Sequence, residues 1–265
     1  MAEPSVLDRI VAAVRGRLDS VPEAGDLTDR AAWVRDTSPT RSLRTALMSD
    51  GPSIIAECKK ASPSAGLLRA DFDPASLAAA YQRAGASAIS VVTEADYFQG
   101  RLEWLSAVRE VVDLPVLRKD FIIDERQLRE AAAFGADAVL LIQRILSPDR
   151  LAELVGAARE LGLETLVEIF ADEDPAATVA SWTEIIGVNA RDLATFVTNL
   201  DAVEALADRL PTDRVWVAES GIKGHGDIVR LGAAGYDAFL IGEHLVRADN
   251  PEAALKRLRT GDDGG

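Results

Sequence analysis

The feature that most constrains how this chain folds is a repeated alternation of short apolar runs with longer amphipathic stretches. Eight runs begin 21 to 34 residues apart and occupy residues 53–57, 87–93, 115–119, 136–142, 163–168, 184–189, 214–219 and 237–241. The runs are apolar on both faces, as buried parallel strands are. The intervals between them carry apolar residues at helical spacing. Alternating strands and helices predict a parallel sheet, and eight repeats predict an α/β fold, a single (β/α)8 TIM barrel.

The length and the loops allow one alternative to the barrel. The chain has 265 residues, which suits a single barrel of about 250 residues. A doubly wound parallel sheet is the alternative, but it usually has fewer strands and a glycine-rich first turn. The sequence contains no G-x-G-x-x-G or Walker loop, so the barrel is the favoured prediction.

Residues 1–48 precede the first predicted strand and are expected to form extra helices that pack on the barrel. Ser5 and Asp8 make a capping-box pattern, and apolar residues then recur at helical spacing at Leu7, Ile10, Val11, Val14 and Leu18. Pro22 and Gly25 are expected to break this helix, and two more helices are predicted near residues 28–35 and 42–48. The barrel is predicted over residues 49–258, followed by a frayed tail at 259–265.

Charge and composition exclude several classes of protein. The net charge of −14 argues against binding to nucleic acid or to an anionic membrane, where phosphate contacts require Lys and Arg. No apolar run reaches the roughly 18 residues of a transmembrane helix, and we do not expect the first residues to act as a secretory signal. The single cysteine, Cys58, has no partner for an internal disulfide, and two His residues are too few for a zinc site. We therefore expect a cytoplasmic protein without a metal.

Polar residues end five of the predicted strands, where barrel enzymes carry out their chemistry. These strand-end residues are Glu57 with Lys59, Lys119, Glu168, Asn189 and Glu219. Side chains alternate between the two faces of a strand, so Glu57 and Lys59 share a face and Cys58 faces the helices. Burial and neighbouring charges tune Lys and Glu for proton transfer near neutral pH. The pattern therefore predicts an acid–base site at the barrel mouth.

The last two predicted strands are followed by loops that contain glycine, Ser220-Gly221 and Gly242-Glu243-His244. Loops at these two positions often bind phosphate in barrels of this kind. Gly221 and Gly242 are expected to let backbone N–H groups approach an anion, because no Cβ stands in the way. The loops therefore predict a phosphate site beside the acid–base site.

Longer segments resemble those of a known family. The similar segments are IIAECKKASPS (54–64), SVVTEADYFQG (90–100), LPVLRKDFIID (114–124), ADAVLLI (136–142), ETLVE (164–168), GVNARDLATF (187–196), VAESGI (217–222) and FLIG (239–242). They resemble the indole-3-glycerol phosphate synthase family, for which the LRKDFIID and E-x-K-x-x-S-P-S blocks are specific. The resemblance implies a barrel covered by N-terminal helices and no metal or organic cofactor. It also implies closure of 1-(2-carboxyphenylamino)-1-deoxyribulose 5-phosphate to an indole, with loss of carbon dioxide and water.

The resemblance also implies roles for individual residues. Lys119 is expected to protonate the substrate carbonyl, and Glu168 to stabilise the developing cation or transfer a proton. Glu57 and Lys59 are expected to serve the dehydration, although which lysine acts in which step stays open. The remaining catalytic residues, expected to orient the substrate, are Asn189, Glu219 and Ser220. The expected substrate-binding residues are Ser62, Phe121 as an apolar wall, Arg191, Gly221, Leu240, Gly242 and Glu243.

Two other functions compete with this interpretation. A phosphoribosyl isomerase on the same fold would need a Cys/Asp or paired-Asp acid–base set, which this chain does not offer at the predicted strand ends. A catalytically silent barrel that acts as a binding subunit would be expected to lack Lys119 or Glu168, and both are present. The expected partner is a small phosphorylated substrate, with weak association with other enzymes of tryptophan biosynthesis as a further expectation.

Overall fold

Eight parallel strands close into a barrel, which confirms the predicted fold and makes the doubly wound alternative wrong. A computed structural model describes residues 4–18, 24–192 and 197–262. In chain order the strands are β1 (Ser53–Cys58), β2 (Ala88–Val92), β3 (Val116–Lys119), β4 (Ala138–Ile142), β5 (Glu164–Phe170), β6 (Ile185–Asn189), β7 (Val215–Glu219) and β8 (Ala238–Ile241). The barrel closes because β1 pairs in parallel with both β2 and β8.

Three helices precede the barrel and nine accompany its strands in the described residues. The first three are α1 (Val6–Leu18), α2 (Ala24–Thr37) and α3 (Leu43–Leu47). The others are α4 (Pro74–Arg83), α5 (Trp104–Arg109), α6 (Glu125–Ala133), α7 (Pro148–Glu160), α8 (Ala176–Ala180), α9 (Leu200–Leu206), α10 (His225–Ala234), α11 (Glu243–Arg247) and α12 (Pro251–Thr260). A two-stranded hairpin, Ala61–Ser62 with Gly66–Leu67, follows β1. None of the helices in the described part of the chain is long and apolar enough to cross a membrane.

Local sequence explains where many of these helices begin. Polar side chains accept hydrogen bonds from the first backbone N–H groups of α4, α6, α7, α9 and α12, which satisfies donors that have no partner inside a helix. These capping residues are Asp73, Asp124, Ser147, Asn199 and Asn250.

Alternation along the strands divides the core into two layers. Inward side chains such as Ile55, Leu117 and Leu166 fill the barrel, while outward ones such as Ile54 pack against the helices. Cys58 belongs to the outer layer and is fully buried, as the parity of β1 predicts. Burial raises the pKa of its thiol, so Cys58 acts as a small apolar residue of the core.

The N-terminal helices cover both ends of the barrel. The apolar face of α1 packs on the interior cluster at the mouth, and Ser5 and Asp8 exchange the predicted capping hydrogen bonds. At the opposite end, Glu164 accepts hydrogen bonds from the Ser42 hydroxyl and the Arg44 N–H, both at 2.8 Å. Helix α2 joins these two ends and packs on α6.

The boundaries of the extension differ from the prediction in detail. Helix α2 begins at Ala24, so the break expected at Gly25 is wrong. A glycine in the first turn of a helix is tolerated because the N–H groups there need no intrahelical partner. Pro22 and residues 263–265 of the predicted tail lie outside the described residues, and α12 continues to Thr260, two residues past the predicted end of the barrel. The division into extension, barrel and tail stays a prediction.

A buried aspartate joins the extension to the barrel. Asp137 Oδ1 accepts hydrogen bonds from the Arg41 N–H and from Arg109 Nη1, both at 2.8 Å, and its Oδ2 accepts the Val116 N–H at 2.9 Å. Arg109 also donates to the carbonyls of Ser38 and Pro39 at 2.9 Å. Since Asp137 is completely buried, its loss would leave the Arg109 guanidinium without a counter-charge.

We expect Asp137→Ala to lower the free energy of unfolding by about 3–5 kcal/mol, the usual cost of breaking a buried ion pair by removing one partner. Asp213→Ala is the control, because the Asp213 side chain is 69% exposed beside Arg214 and such pairs contribute about 0–1 kcal/mol. Urea denaturation followed by circular dichroism measures both. A loss below about 1 kcal/mol for Asp137→Ala would mean that this carboxylate does not hold the extension.

Candidate active site

A cavity of about 910 Å³ opens at the C-terminal ends of the barrel strands. It brings together every residue that the sequence proposed for the site, namely Glu57, Lys59, Ser62, Lys119, Phe121, Glu168, Asn189, Arg191, Glu219, Ser220, Gly221, Leu240, Gly242 and Glu243. Sequence reasoning missed Val6, Leu7 and Ile10 of α1, which form part of its wall. Their apolar spacing predicted a helix face, but nothing in that pattern says which surface the face covers.

Lys119 is the last residue of β3 and lies deep in the cavity. Its Nζ is 3.0 Å from Glu168 Oε2 and 3.5 Å from Glu219 Oε2. Burial alone would lower the pKa of this lysine, but the acidic groups of Glu168, Glu219 and Glu57, with Glu168 foremost, outweigh burial and raise the pKa. Lys119 is therefore held as an ammonium ion, a proton donor whose side chain is mostly buried.

The carboxyl group of Glu219 is held in its neutral form. Burial, the largest influence, raises its pKa well above the ordinary value, Lys119 opposes the rise, and the charge and hydrogen bond of Glu168 add to it. A hydrogen bond that raises this pKa is one that the protonated Glu219 carboxyl donates. Glu219 therefore retains a proton beside Glu168 and Lys119.

A second pair of opposite charges lies at the end of β1. Lys59 Nζ is 2.6 Å from Glu57 Oε1, and both side chains are mostly buried. Burial would raise the pKa of Glu57, but Lys59, Lys119 and Arg191 together lower it below its ordinary value. The cavity thus contains two separate lysine–carboxylate pairs, one with an ionised glutamate and one with a glutamate pair that retains a proton.

Gly242 has a physical role that the sequence did not reveal. A Cβ atom at this position would overlap Glu57 Oε1 and lie 2.9 Å from Glu57 Cδ. From the sequence, Gly242 is expected to let backbone N–H groups approach an anion, and this stays a prediction. In the structure, the Glu57 carboxylate occupies the space where a Cβ would lie, so this glutamate needs the glycine whether or not an anion lies nearby.

The turn after β7 does require unusual backbone angles. Ser220 and Gly221 have φ values of 68° and 80°, so two consecutive residues adopt the left-handed conformation. The serine is strained there, whereas the glycine is not. A Cβ at Gly221 would also overlap the Thr198 side chain and approach Leu200 Cδ2 to 3.3 Å. Such a turn next to a cavity is a frequent feature of functional sites.

Cationic side chains lie toward the outer part of the cavity. Arg191 donates hydrogen bonds to the Ser64 hydroxyl and to Glu243 Oε2, both at 3.3 Å, and Asn189 Oδ1 accepts the Arg191 N–H at 2.9 Å. Lys223, Arg247 and Arg257 also line the cavity, as does His244, whose pKa is lowered by burial and by the nearby Arg257 and Lys223. Residues 193–196 of the family-like segment lie outside the described residues.

An apolar wall faces the charged residues. Phe121 packs near Phe98, with ring centroids 6.0 Å apart, and both rings line the cavity with Leu240 and the apolar residues of α1. Phe98 was not predicted, although it belongs to the family-like segment 90–100. The described residues contain no cluster of His, Cys, Asp or Glu arranged to hold a metal ion.

Comparisons with known proteins agree with this geometry. The family model for indole-3-glycerol phosphate synthase matches residues 7–258. The indole-3-glycerol phosphate synthase of Geobacillus thermodenitrificans is 47% identical over 262 residues, which cover 98% of both chains. That of Rhodopirellula baltica is 44% identical over 255 residues, which cover 96% of this chain and 98% of the relative.

Among solved structures, two barrels of low sequence identity share the fold. A 3-hexulose-6-phosphate synthase from Salmonella typhimurium has a TM-score of 0.63 at 14% identity, covering 78% of this chain and 96% of its own. A thiamine phosphate pyrophosphorylase from Pyrococcus furiosus has a TM-score of 0.61 at 16% identity, covering 82% and 96%. These two likenesses establish the fold alone, whereas the family match and the curated relatives span nearly the whole chain. The chain therefore belongs to the indole-3-glycerol phosphate synthase family.

Proposed function

We propose that this chain closes the indole ring of indole-3-glycerol phosphate from 1-(2-carboxyphenylamino)-1-deoxyribulose 5-phosphate in tryptophan biosynthesis, as a carboxy-lyase that uses its own side chains as acids and bases. The observation that carries the proposal is the buried Lys119 ammonium between Glu168 and Glu219. A buried acid next to carboxylates is what a reaction with two proton transfers requires.

The cavity suits a substrate with an aromatic ring and two anionic groups. The ring is placed against Phe98 and Phe121 on the apolar wall. The phosphate is placed at the outer part, near Arg191 and the turn at Ser220-Gly221, with the remaining predicted contacts at Ser62, Leu240, Gly242 and Glu243. Because the whole protein is strongly acidic, these local groups must supply the attraction for the anions.

In the proposed ring closure, the ring carbon that bears the carboxylate attacks the substrate keto carbon. Lys119 transfers its proton to the keto oxygen, which becomes a hydroxyl, while Glu168 stabilises the positive charge that develops on the ring nitrogen. The carboxylate then leaves as carbon dioxide, and its bonding electrons restore the aromatic ring. Lys119 regains a proton from the Glu168–Glu219 pair, 3.0–3.5 Å away.

In the proposed dehydration, the hydroxyl formed in the first step leaves as water. Lys59 donates a proton to this hydroxyl, and Glu57, 2.6 Å from Lys59, keeps the lysine charged and oriented. The carbon next to the ring nitrogen then loses a proton to the Glu57–Lys59 pair, which restores the charge of Lys59 and completes the indole. Asn189 and Ser220 are placed as orienting residues at the ends of β6 and β7.

We further propose that the protein acts in the cytoplasm and associates weakly with other enzymes of tryptophan biosynthesis, as expected from the sequence. Co-elution with those enzymes at micromolar concentration is the measurement that tests the association.

The direct test incubates the purified protein with the carboxyphenylamino substrate and follows indole fluorescence. We expect turnover by the natural chain and a loss of about 10²–10⁴-fold in kcat for Lys119→Met, since a general acid contributes about that much. Lys256→Met is the control, because Lys256 is an exposed residue that pairs only with Glu252 in the described structure. No turnover by the natural chain would indicate a silent barrel, and more than half of the natural kcat in Lys119→Met would remove this lysine from the chemistry.

The contribution of Glu219 to the thermal stability of the protein should fall as the pH rises above 4.5, because folding keeps a proton on Glu219. The unfolded chain loses this proton near the ordinary pKa of 4.5, while the folded chain keeps it, so folding at higher pH must take up a proton. We therefore expect Glu219→Gln to raise Tm by about 3–6 °C at pH 8, and the gain to vanish as the pH falls toward 4.5.

Glu184→Gln serves as the matched control, because the Glu184 side chain is 66% exposed. Its Tm should follow that of the natural protein at every pH. Calorimetry at pH 5 and pH 8 decides the matter. A Glu219→Gln variant that is less stable than the natural protein at pH 8 would show that Glu219 is ionised in the folded state.

A further inference from the structure

Gly187 is the one glycine within a described barrel strand, and it lies at an inward-facing position of β6. Its neighbours across the sheet are Glu168 on β5 and Val217 on β7. Inward positions of such barrels are normally filled by bulky branched residues, and a glycine inside a strand weakens it. A glycine here therefore indicates that something else needs the space.

The group that occupies this space is the carboxyl of Glu219. A Cβ atom on Gly187 would overlap Glu219 Oε1 and lie 3.1 Å from Glu219 Cδ, while the next nearest atom, Leu166 Cδ1, lies at 3.4 Å, an ordinary van der Waals distance. Gly187 has no positive φ, so its backbone would accept an alanine. The carboxyl of Glu219 is thus the only serious obstacle to a side chain at this position.

The two oxygens of Glu219 lie in different surroundings. Oε2 is 3.5 Å from Lys119 Nζ, while Oε1, which faces Gly187, has no hydrogen-bond partner among the described residues. An oxygen without a partner is tolerated in a neutral carboxyl far better than in an ionised one. The bare backbone at Gly187 therefore allows the carboxyl to lie deep beside Glu168, out of reach of other donors.

We infer that Gly187 is a positioning residue for the reaction: by lacking a side chain it holds the Glu219 carboxyl in the buried orientation that places it against Glu168 and Lys119. This inference rests on the proposed function, in which the two glutamates share the proton that recharges Lys119. A methyl group at position 187 would turn the carboxyl away from this place. The strands need not separate, because a carboxyl is the end of a flexible side chain.

The experiment is a double-mutant cycle between Gly187→Ala and Glu219→Ala. Glu219→Ala removes the atoms that the new methyl group would meet, so the two substitutions should not be additive. We expect Gly187→Ala alone to lower kcat about 10–100-fold, as small misplacements of catalytic groups do, and to change the pH profile of kcat. In the Glu219→Ala background the same substitution should change kcat less than about 3-fold and leave the profile unaltered.

Thermal unfolding gives a second readout that does not need activity. Gly187→Ala should lower Tm in the natural background and have little effect on Tm in the Glu219→Ala background, even if the single variant is too unstable to assay. Gly156→Ala is the control, since no atom lies within 4 Å of a Cβ built at that helical glycine. It should keep the natural kcat and pH profile.

Two results would overturn the inference. One is a Gly187→Ala variant with the natural kcat and pH profile. The other is a loss of kcat or Tm that is equally large in both backgrounds, because Gly187 would then act through something other than Glu219. Absence of turnover by the natural chain would instead contradict the proposed function, and the Tm cycle would still report whether Gly187 determines the place of Glu219.

Discussion

A lysine ammonium ion buried among glutamates is the interaction on which the rest of the site depends. Removing an ammonium ion from water costs several kcal/mol, and only close counter-charges offset that cost. Lys119 has such a counter-charge in Glu168 at 3.0 Å, with the Glu219 carboxyl group at 3.5 Å. These contacts offset the cost of burying the ammonium ion, and they also keep Lys119 protonated. The stability of the buried lysine and its ability to donate a proton therefore depend on the same contacts.

The barrel produces this arrangement in two ways: the alternation of side chains along each strand points the charged groups inward, and glycines leave space for them. Neighbouring strands lie only about 4.8 Å apart, so charged groups on different strand ends meet without long loops. Two of the four glutamates that line the cavity lie against glycines, Glu57 against Gly242 and Glu219 against Gly187. Larger side chains at these two glycines would fill the interior more completely, but they would overlap the carboxyl groups of Glu57 and Glu219.

The barrel fold and most of the site residues were predictable because they depend on local sequence patterns. The eight apolar runs predicted the strands, and parity placed Lys119, Glu168 and Glu219 at the mouth. Contacts between distant segments were not predictable. The family resemblance implied that N-terminal helices cover the barrel, but residue spacing does not show which residues of α1 line the cavity. Nor does it show that Phe98 lies beside Phe121 or that Gly242 makes room for Glu57. Each depends on how elements far apart in the chain meet, which residue spacing does not encode.

The charge of Lys119 is the most direct test of this account, and nitrogen NMR of lysine-labelled protein measures it. The chain has five lysines, so the signal that disappears in Lys119→Met identifies the residue. The account predicts that Lys119 keeps its proton up to and beyond pH 10.5, the ordinary lysine pKa, for as long as circular dichroism shows the protein folded. Loss of that proton below pH 10.5 in the folded protein would contradict it, because burial would then outweigh the glutamates.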